Sequence, residues 1–511
     1  QQQGDNIDAS GGFFAISDLL SIALLSESTP EEIQQIKPSG DIEQFAINYS
    51  QSKGLNSAKI SLRDGGVLPW QDYPGITGIT ADIKWQQDNL KVALDSHNVN
   101  LYPQNGYESA LFFDSISGAF DFTQSEKQWQ FQSQALRLWN DDLSIELDGS
   151  INQGHDEKIR NDLFIKLDDV MINQWKKYLP KDILRSNFKA WSANAFVDGK
   201  ITHGEIKLKG DLAAFPYQLP ADKQQGSFDL NLQVEGVQLH YAPEWPDIVN
   251  VNGTIIGSGN DLVIKSQQGT IAGFSFLNVD TRIDKLTEDE PILTLDGKLK
   301  GTTAQAVELL KNSPLRHRFG RVASLITAQG GSDINLHLMV PLSYANETEV
   351  KGDVSFINST LFKTSFPQAP ITNVNGKIDF SHESVSAESI TAQALNAPII
   401  INVGPKNNNT VINATGSVSA KQLELLSSED LSQYINGQTD YELAVEISEK
   451  TVGDFYADVT VKSNLRGLNV LLPAPFYKTA EQTVDFQTAL DQSVNSSRYT
   501  LDYDGKALAS M

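Results

Sequence analysis

Seven histidines are the first residues in this sequence that could do chemistry, and their spacing argues against a metal centre. The histidines are His97, His155, His203, His240, His317, His337 and His382. No two of them are four residues apart, and the zinc-binding pattern H-E-x-x-H is missing from the sequence. His337 lies on the polar side of the alternating run Ile334–Leu338, where a solvated imidazole is expected. The sequence also has no cysteine, which excludes thiolate ligands. We therefore expect no metal, no cofactor and no catalytic residue.

Three further patterns resemble known sites, but each lacks a feature that the site requires. The glycine-rich stretch Gly253–Gly259 is followed by neither Lys-Ser/Thr nor a helical pattern, so a hairpin is expected there and not a phosphate loop. The stretch Asp502–Gly505 lacks the glutamate that a calcium loop needs. Adjacent carboxylates such as Asp168 and Asp169 are common in an acidic chain, and we expect them at the surface.

The charge balance argues against several classes of partner. Asp and Glu total 64 against 40 Lys and Arg, which gives a net charge of -24. Such a chain repels phosphate backbones and anionic bilayers, so we expect no nucleic acid partner and no flat adsorption to a membrane. The one local basic cluster, Arg316–Arg318 with Arg321, is expected to place cations at a helix end. Contact with anionic headgroups is the alternative for that cluster.

Length and composition indicate an ordered chain of several units. A chain of 511 residues is too long for one compact core, and 40% hydrophobic residues are enough to order it. No apolar run reaches the roughly 18 residues that a membrane-spanning helix needs. The sequence begins at Gln1 and ends without a recognisable boundary at Met511, so we interpret it as a segment of a longer protein. Any signal or anchor would then lie outside it, and the absence of thiols suits an oxidising periplasm.

Period-two alternation dominates the chain. In Phe228–Glu235 apolar and polar residues separate cleanly, which is typical of an antiparallel strand with one dry and one wet face. Similar runs are Leu163–Leu167, Ile334–Val340, Tyr441–Ile447 and Phe455–Val461. Asn-Gly and Asp-Gly pairs favour tight hairpin turns between such strands. Turns are therefore predicted at Asp198-Gly199, Asn252-Gly253, Asp296-Gly297, Asn375-Gly376 and Asn436-Gly437.

Four stretches interrupt the alternation with helical signals. The clearest begins at Ser28–Glu32, where Thr29 can cap a helix and Pro30 fits its first position. The others lie near Asp169–Ala190, Thr303–Ala328 and Ala420–Ile435. They predict an N-terminal helical stretch at residues 1–40 and β units at 41–168, 169–302, 303–419 and 420–511, the last three each opening with a helix.

An apolar spacing of three and then four residues recurs between the helical stretches. Its copies are Ile76-x-x-Ile79-x-x-x-Ile83, Phe113-x-x-Ile116-x-x-x-Phe120, Ile248-x-x-Val251-x-x-x-Ile255 and Ile371-x-x-Val374-x-x-x-Ile378. Four copies predict duplicated supersecondary units that stack along one axis. Near the C-terminal end, the apolar run Leu468–Leu472 is predicted to be a strand that Pro473 and Pro475 terminate.

The apolar side of these strands must be covered, and the sequence leaves two arrangements open. A second sheet covers it in a closed module, whereas a single curled sheet would line a continuous groove. Such a groove suits acyl chains, since two sixteen-carbon chains lose roughly 25 kcal/mol on entering water. The predicted lining residues are Leu163, Ile165, Leu167, Phe228, Leu230, Leu232, Val234, Ile334, Leu336, Leu338, Leu443, Val445, Ile447, Val459 and Val461.

A set of motifs in this order resembles the AsmA-like family, in its large YhdP branch. The motifs are Trp175-x-x-Tyr178-Leu179-Pro180, Trp191-x-x-x-Ala195-Phe196-x-x-Gly199-Lys200-Ile201, Leu208-Lys209-Gly210-Asp211-Leu212-x-x-Phe215-Pro216-Tyr217, Tyr241-Ala242-Pro243-x-Trp245-Pro246-x-Ile248, Ser313-Pro314-Leu315 with Gly330-Gly331, Val374-Asn375-Gly376-Lys377-Ile378-x-Phe380 and Leu471-Leu472-Pro473-Ala474-Pro475. The resemblance covers most of the chain from about residue 40 onward.

The resemblance favours the groove over the closed modules. It implies a mainly β fold, in which an elongated, strongly twisted antiparallel sheet curls into a hydrophobic groove with a few short helices between strands. It also implies a periplasmic, non-enzymatic conduit that carries phospholipid towards the outer membrane. An N-terminal helix outside this sequence would anchor it in the inner membrane, and other parts of the chain would contact both membranes.

Other functions remain open on the sequence. Stacked β modules could form a structural, adhesive or assembly scaffold of the cell envelope. A carbohydrate-active protein would use the tryptophans as sugar platforms, but it also needs two carboxylates at a fixed separation. The tryptophans are Trp70, Trp85, Trp129, Trp139, Trp175, Trp191 and Trp245.

Overall fold

The computed structural model describes most of the chain. It covers all residues except 1, 4–5, 19–34, 53, 72, 104–106, 108, 126–127, 179–191, 193, 216, 218–224, 287–289, 317–319, 321–322, 343–347, 364–365, 382–383, 408, 427–429, 452–453, 493–496 and 511. The protein is mainly β, and its sheet is antiparallel and not closed.

Long strands make up most of the described chain, and several exceed ten residues. The strands are β1 Gln2–Gln3, β2 Asn6–Gly11, β3 Phe14–Ala15, β4 Ser39–Ser50, β5 Gly54–Val67, β6 Gly75–Gln86, β7 Asn89–Tyr102, β8 Leu111–Ser125, β9 Gln128–Asn140, β10 Leu143–Gln153, β11 Ile159–Met171, β12 Phe196–Asp211, β13 Gly226–Leu239, β14 Ile248–Ser258, β15 Asp261–Ile271, β16 Phe274–Asp284, β17 Ile292–Thr302, β18 Ile326–Pro341, β19 Glu349–Lys363, β20 Phe366–Ser381, β21 Val385–Ala394, β22 Ala397–Lys406, β23 Asn409–Ser419, β24 Ile435–Thr451, β25 Asp454–Ser463, β26 Leu468–Val470, β27 Phe486–Gln492, β28 Ser497–Tyr503 and β29 Lys506–Ser510.

Two α-helices of the described chain are short and begin with side-chain caps. Helix α1 spans Thr303–Lys311, and Thr302 caps it in a capping box with Gln305. Helix α2 spans Ala420–Leu423, and Ser419 caps it in the same way. Short 3-10 helices lie at Trp175–Tyr178, Leu212–Ala214, Glu424–Leu426 and Leu431–Gln433.

The predicted helical stretches were too long. Strand β11 continues to Met171, β18 begins at Ile326 and β24 begins at Ile435, so a strand takes the beginning of the first of these three ranges and the end of the other two. Within residues 1–40, strands β1 to β3 replace the predicted helix as far as Ala15, because β2 and β3 pair with β4. The capping signal at Ser28–Glu32 and residues 179–190 lie outside the described residues.

The chain divides into two compact units. Unit 1 contains Gln1–Leu239, Asn250–Lys265 and Arg282–Pro291, and unit 2 contains His240–Val249, Ser266–Thr281 and Ile292–Met511. In unit 1, β4 to β13 pair antiparallel in chain order. In unit 2, β17 to β25 do the same, while β27 pairs with β25 and β26 pairs with the start of β24. The finer division at residues 41, 169, 303 and 420 stays a prediction.

Each unit has its own buried clusters. In unit 1, Val99, Phe113 and Val170 belong to one cluster, against which Tyr178 packs. Unit 2 has separate clusters around Val374, Phe274 and Leu468. The cores are therefore distributed along the sheet of each unit.

The predicted Asn-Gly and Asp-Gly turns were wrong, because all five pairs lie inside strands. Gly199, Gly376 and Gly437 have φ of 112°, 148° and 101°, a conformation that favours glycine. Irregular register accompanies the first two, in the β12–β13 and β19–β20 pairings. Left-handed residues within these long strands thus produce β-bulges and not reversals of the chain.

The same bulges explain the recurring three-then-four spacing. All four copies lie within single strands, namely β6, β8, β14 and β20. Each contains a residue with positive φ: Gly78, Gly118, Asn250 or Asn373. In a regular strand, residues three apart point to opposite faces of the sheet. A bulge adds one residue and so returns both apolar side chains to the same face. The repeated motif is therefore a bulged strand.

Three further bulges are each held by a side chain of the next strand. The backbone N–H of Ser389, which has φ of 56°, donates to Asn402 Oδ1 at 2.9 Å. The N–H of Ala135 donates to Asp148 Oδ1 at 2.7 Å, and that of Asn358 donates to Asn375 Oδ1 at 2.8 Å. Each of these side-chain oxygens accepts a hydrogen bond from a backbone N–H that the bulge removes from the ladder.

We expect Asn402→Ala to lower the free energy of unfolding by about 1 kcal/mol, since it removes one hydrogen bond to the backbone. Urea denaturation measures the change. Asn402→Asp keeps an acceptor oxygen at the same place and is the matched control, with a loss of less than about 0.5 kcal/mol. Equal losses in both variants would contradict a role for the Oδ1 atom.

Candidate functional site: the apolar face of the sheet

The predicted lining residues of unit 1 fall into rows that cross three strands. Each row joins residues that face each other in the ladders, and such partners project to the same side of a sheet. The rows are Leu163–Leu208–Phe228, Ile165–Ile206–Leu230 and Leu167–Gly204–Leu232, from β11 through β12 to β13. Val234 follows on β13 opposite Ile201. The alternating sequence of these strands thus builds one apolar face.

The apolar face of unit 1 extends well beyond the predicted residues. One row runs Phe45–Ile60–Ile83–Val92–Phe120 from β4 to β8, and then passes through Ser133 and Gly149 to Leu163. With about 4.8 Å between strands, the nine spacings from β4 to β13 amount to roughly 43 Å. The sequence analysis assigned residues 41–168 to a β unit but named no lining residue on β4 to β10, although alternation in Ala81–Trp85 was a visible signal.

Unit 2 has an apolar face of the same kind. Its rows include Val403–Ile412–Val445–Val459–Leu490 and Ile401–Ala414–Leu443–Val461, which cross β22 to β25 and, in the first case, β27. Ile447 lies opposite Ala457. On β18, Ile334 and Leu338 lie opposite Val354 and Val350 of β19, while Leu336 lies opposite Gly352.

Exposure separates the fifteen predicted residues into two groups. Val234 and Ile334 are each 7% exposed, and Ile334 belongs to a cluster with Phe274 and Leu299. The other thirteen are half-buried, so part of each side chain remains on the surface. Phe228 also packs edge-to-face against Phe215, with ring centroids 5.3 Å apart. The face is thus packed by protein at some positions and accessible at most others.

Charged side chains occupy the opposite face and pair across strands. Glu146 of β10 accepts hydrogen bonds from Arg137 of β9 at 2.7 Å and from Lys166 of β11 at 2.9 Å. Lys209 and Asp162 form a further pair at 2.6 Å. Cross-strand pairs of this kind keep one face hydrated and direct the apolar residues to the other.

Hydrogen bonds from Lys166 and then Arg137 lower the pKa of Glu146 below its usual value of 4.5. A carboxyl whose pKa is lower in the folded state stabilises the fold above its unfolded pKa, and this contribution disappears as the pH falls through the folded pKa. We expect Glu146→Gln to cost less than about 1 kcal/mol at pH 7, because the pairs are partly exposed. The difference from the wild type should shrink in denaturation curves as the pH falls below 4.5 and vanish below the lowered pKa of the folded state; a difference that stays constant throughout this acid range would contradict an ionic origin.

Two of the histidines and the adjacent carboxylates Asp168 and Asp169 lie in ordinary surface pairs. His203 Nδ1 is 3.0 Å from Asp168, and His337 Nδ1 is 2.8 Å from Asp296. Lys200 pairs with Asp169 at 3.2 Å. In the described part of the chain, no group of three His, Asp or Glu side chains could hold a metal ion.

The basic cluster and the calcium-like stretch also have structural roles where they are described. Arg316 pairs with Glu244 at 3.0 Å, whereas residues 317, 318 and 321 lie outside the described residues. Asp504 and Gly505 form the turn between β28 and β29, with φ of 57° and 74°. Among the described residues, no helix is long and apolar enough to cross a membrane.

Sequence reasoning missed a buried charge next to the apolar run Leu468–Leu472. Strand β26 ends at Val470, and Leu471 is 52% exposed, so the strand is shorter than predicted. Lys478 is 1% exposed, and its Nζ donates to the backbone oxygens of Leu465, Leu468 and Thr479 at 2.7, 2.6 and 3.0 Å. A lone lysine after an apolar run was the only sequence signal for this anchor.

These features define a class: an open antiparallel β-sheet protein whose units each carry apolar rows on one face and charged side chains on the other. The family model of the YhdP protein matches residues 8–511, so the chain belongs to that family. The chain is also 20% identical over 328 residues to the intermembrane phospholipid transporter YhdP of Escherichia coli (strain K12). That match covers 63% of this chain and 25% of the relative, so the chain spans about a quarter of the relative's length. No solved structure matches the chain.

Proposed function

We propose that this chain is a segment of a non-enzymatic lipid conduit, in which the apolar face of the sheet forms a hydrophobic groove for phospholipid acyl chains. The observation that carries the proposal is the mainly apolar row from β4 to β13 in unit 1, in which most of the apolar side chains are half-buried. The E. coli relative is named a phospholipid transporter, which supports lipid as the ligand.

The energetic argument concerns the hydrocarbon chains. Exposure of each methylene group to water costs about 0.8 kcal/mol, so two sixteen-carbon chains oppose transfer by roughly 25 kcal/mol. Contact with a continuous apolar face offsets this cost at every step and requires no reacting group. A charged outer face keeps the same sheet in water.

The location and direction of transport are parts of the proposal. The relative's name places it between two membranes, and we propose that this segment lies in the periplasm and carries lipid towards the outer membrane. An inner-membrane anchor and the contacts with both membranes would be supplied by other parts of the transporter. The thirteen half-buried predicted residues would contact the acyl chains.

Native mass spectrometry of the purified chain, followed by lipid extraction, tests the proposal. We expect several phospholipid molecules per chain, because the apolar rows offer no single bounded pocket. The control is the same protein after delipidation and renewed exposure to phospholipid vesicles, which should restore the bound lipid. A folded chain that stays lipid-free in both experiments would contradict the conduit and favour a structural or assembly scaffold.

A further inference from the structure

The apolar face of unit 1 contains a cluster of aromatic rings on adjacent strands. The aromatic cluster consists of Phe120 and Phe122 on β8 with Trp129 and Phe131 on β9. The ring centroids of Phe120 and Phe131 are 5.3 Å apart, and those of Phe122 and Trp129 are 6.3 Å apart with nearly parallel planes. All four side chains are half-buried, so the rings remain partly accessible.

The aromatic cluster is continuous with apolar neighbours on both sides. Between β6 and β10, the row through Phe122 and Phe131 includes Trp85 and Leu90 on one side and Ile151 on the other. It crosses β6 to β10, and four strand spacings of about 4.8 Å give roughly 19 Å. One leaflet of a bilayer is about 15 Å of hydrocarbon, half the thickness of the core. The row is therefore long enough to hold one acyl chain that lies across the strands.

The chemistry of the cluster favours a hydrocarbon chain over a sugar or a peptide. Trp129 Nε1 already donates to Gln153 Oε1 at 2.7 Å, so the indole N–H is engaged within the protein. The backbone groups of β8 and β9 pair within the ladder, which leaves an extended peptide no backbone partner on this face. Aromatic rings offer large rigid apolar surfaces instead.

Unit 2 provides an internal comparison. The rows Val403–Ile412–Val445–Val459 and Ile401–Ala414–Leu443–Val461 are aliphatic. An aromatic side chain covers a larger apolar area than valine or alanine, and the benefit of contact scales with that area. An acyl chain bound to the aromatic cluster should therefore stay bound longer than an acyl chain bound to these aliphatic rows.

We propose that the aromatic cluster is a resident acyl-chain subsite, at which a phospholipid pauses within the conduit. This inference rests on the proposed function, because it requires that acyl chains lie on the apolar face. It adds that acyl chains occupy the apolar face unevenly, and that their occupancy is highest where Phe122 and Phe131 contact them.

Photolabelling of the full chain tests the subsite. The probe is phosphatidylethanolamine with a diazirine on one palmitoyl chain, and labelled peptides are located by mass spectrometry. We expect labelling of β8 and β9 to exceed labelling of β23 to β25 by about threefold or more. Trp139, which is 49% exposed on the opposite face of β9, should remain unlabelled and serves as the control position.

The variants Phe122→Leu and Phe131→Leu keep an apolar side chain and remove a ring. Each should lower labelling of β8 and β9 towards the level of β23 to β25, with unchanged labelling in unit 2 and an unchanged circular dichroism spectrum. Equal labelling of the two units in the wild type, or an excess that survives both variants, would overturn the subsite and leave the conduit intact. No labelling of either apolar face would overturn both.

Discussion

Leu230→Asp is expected to lower the amount of phospholipid bound to the chain by about tenfold or more, while the chain stays folded. Leu230 is half-buried on the apolar face of β13, opposite Ile206 of β12. A carboxylate there would have to lose water against passing hydrocarbon, which costs several kcal/mol. Because the position is partly open to water, the cost to folding should be only about 1–3 kcal/mol.

The matched control for this variant lies one residue away. Asn231→Asp adds the same charge on the exposed opposite face of β13, where lipid binding should remain at the wild-type level. Lipid extraction with mass spectrometry measures binding, and circular dichroism and urea denaturation measure folding. Outright unfolding of Leu230→Asp would indicate a closed core around Leu230. Equal loss of lipid in both variants would indicate an effect of net charge and not of the face.

Alternation made the two faces predictable from the sequence. In Phe228–Glu235 every apolar residue is half-buried or buried and every polar residue is exposed, as the period of two requires. The lipid-lining role of these residues remains a prediction. The local pattern could not reveal which of these apolar positions are covered by other parts of the chain. Ile334 is buried because Phe274 packs beside it, and Phe228 is partly covered by Phe215.

The turns predicted from Asn-Gly and Asp-Gly pairs were wrong because these pairs lie within long strands. Asn375-Gly376 carries the residues of a tight hairpin, yet it lies inside the long strand β20. The local preference for positive φ was correct, and Gly376 has φ of 148°. The neighbouring strands decide whether such a residue reverses the chain or only bulges it, and this information is not local. The three-residue step from Ile371 to Val374 was the sequence signal that favoured a bulge.

Strand pairing also replaced part of the helical structure that local propensity predicts. Capping boxes at Thr302 and Ser419 do begin helices, but α2 has only four residues before 3-10 turns follow. Short helices gain little from propensity alone and depend on packing for stability. Long adjacent strands instead gain a full ladder of hydrogen bonds, which extends β18 and β24 into the predicted helical ranges.

Lys478→Met is expected to lower the free energy of unfolding by about 2–3 kcal/mol. The buried ammonium joins the oxygens of Leu465, Leu468 and Thr479, and so holds β26 to the segment that follows it. Methionine fills similar space but donates no hydrogen bond, so three carbonyl oxygens each lose a charged donor. Urea denaturation at pH 7 measures the loss. Lys462→Met, at an exposed position on β25, is the matched control and should change stability by less than about 0.5 kcal/mol.

The pH dependence separates the charge of Lys478 from its packing. Burial lowers the pKa of Lys478 below its usual 10.5, whereas nearby Glu481 acts in the opposite direction. In the window between the lowered folded pKa and 10.5, the unfolded chain binds more protons than the folded chain, so stability rises with pH. We therefore expect the wild type to gain stability relative to Lys478→Met as the pH increases through that window. A constant difference between the two proteins across that window would contradict the lowered pKa of Lys478 in the fold. Equal stability at pH 7 would show that desolvation of the ammonium cancels its three hydrogen bonds.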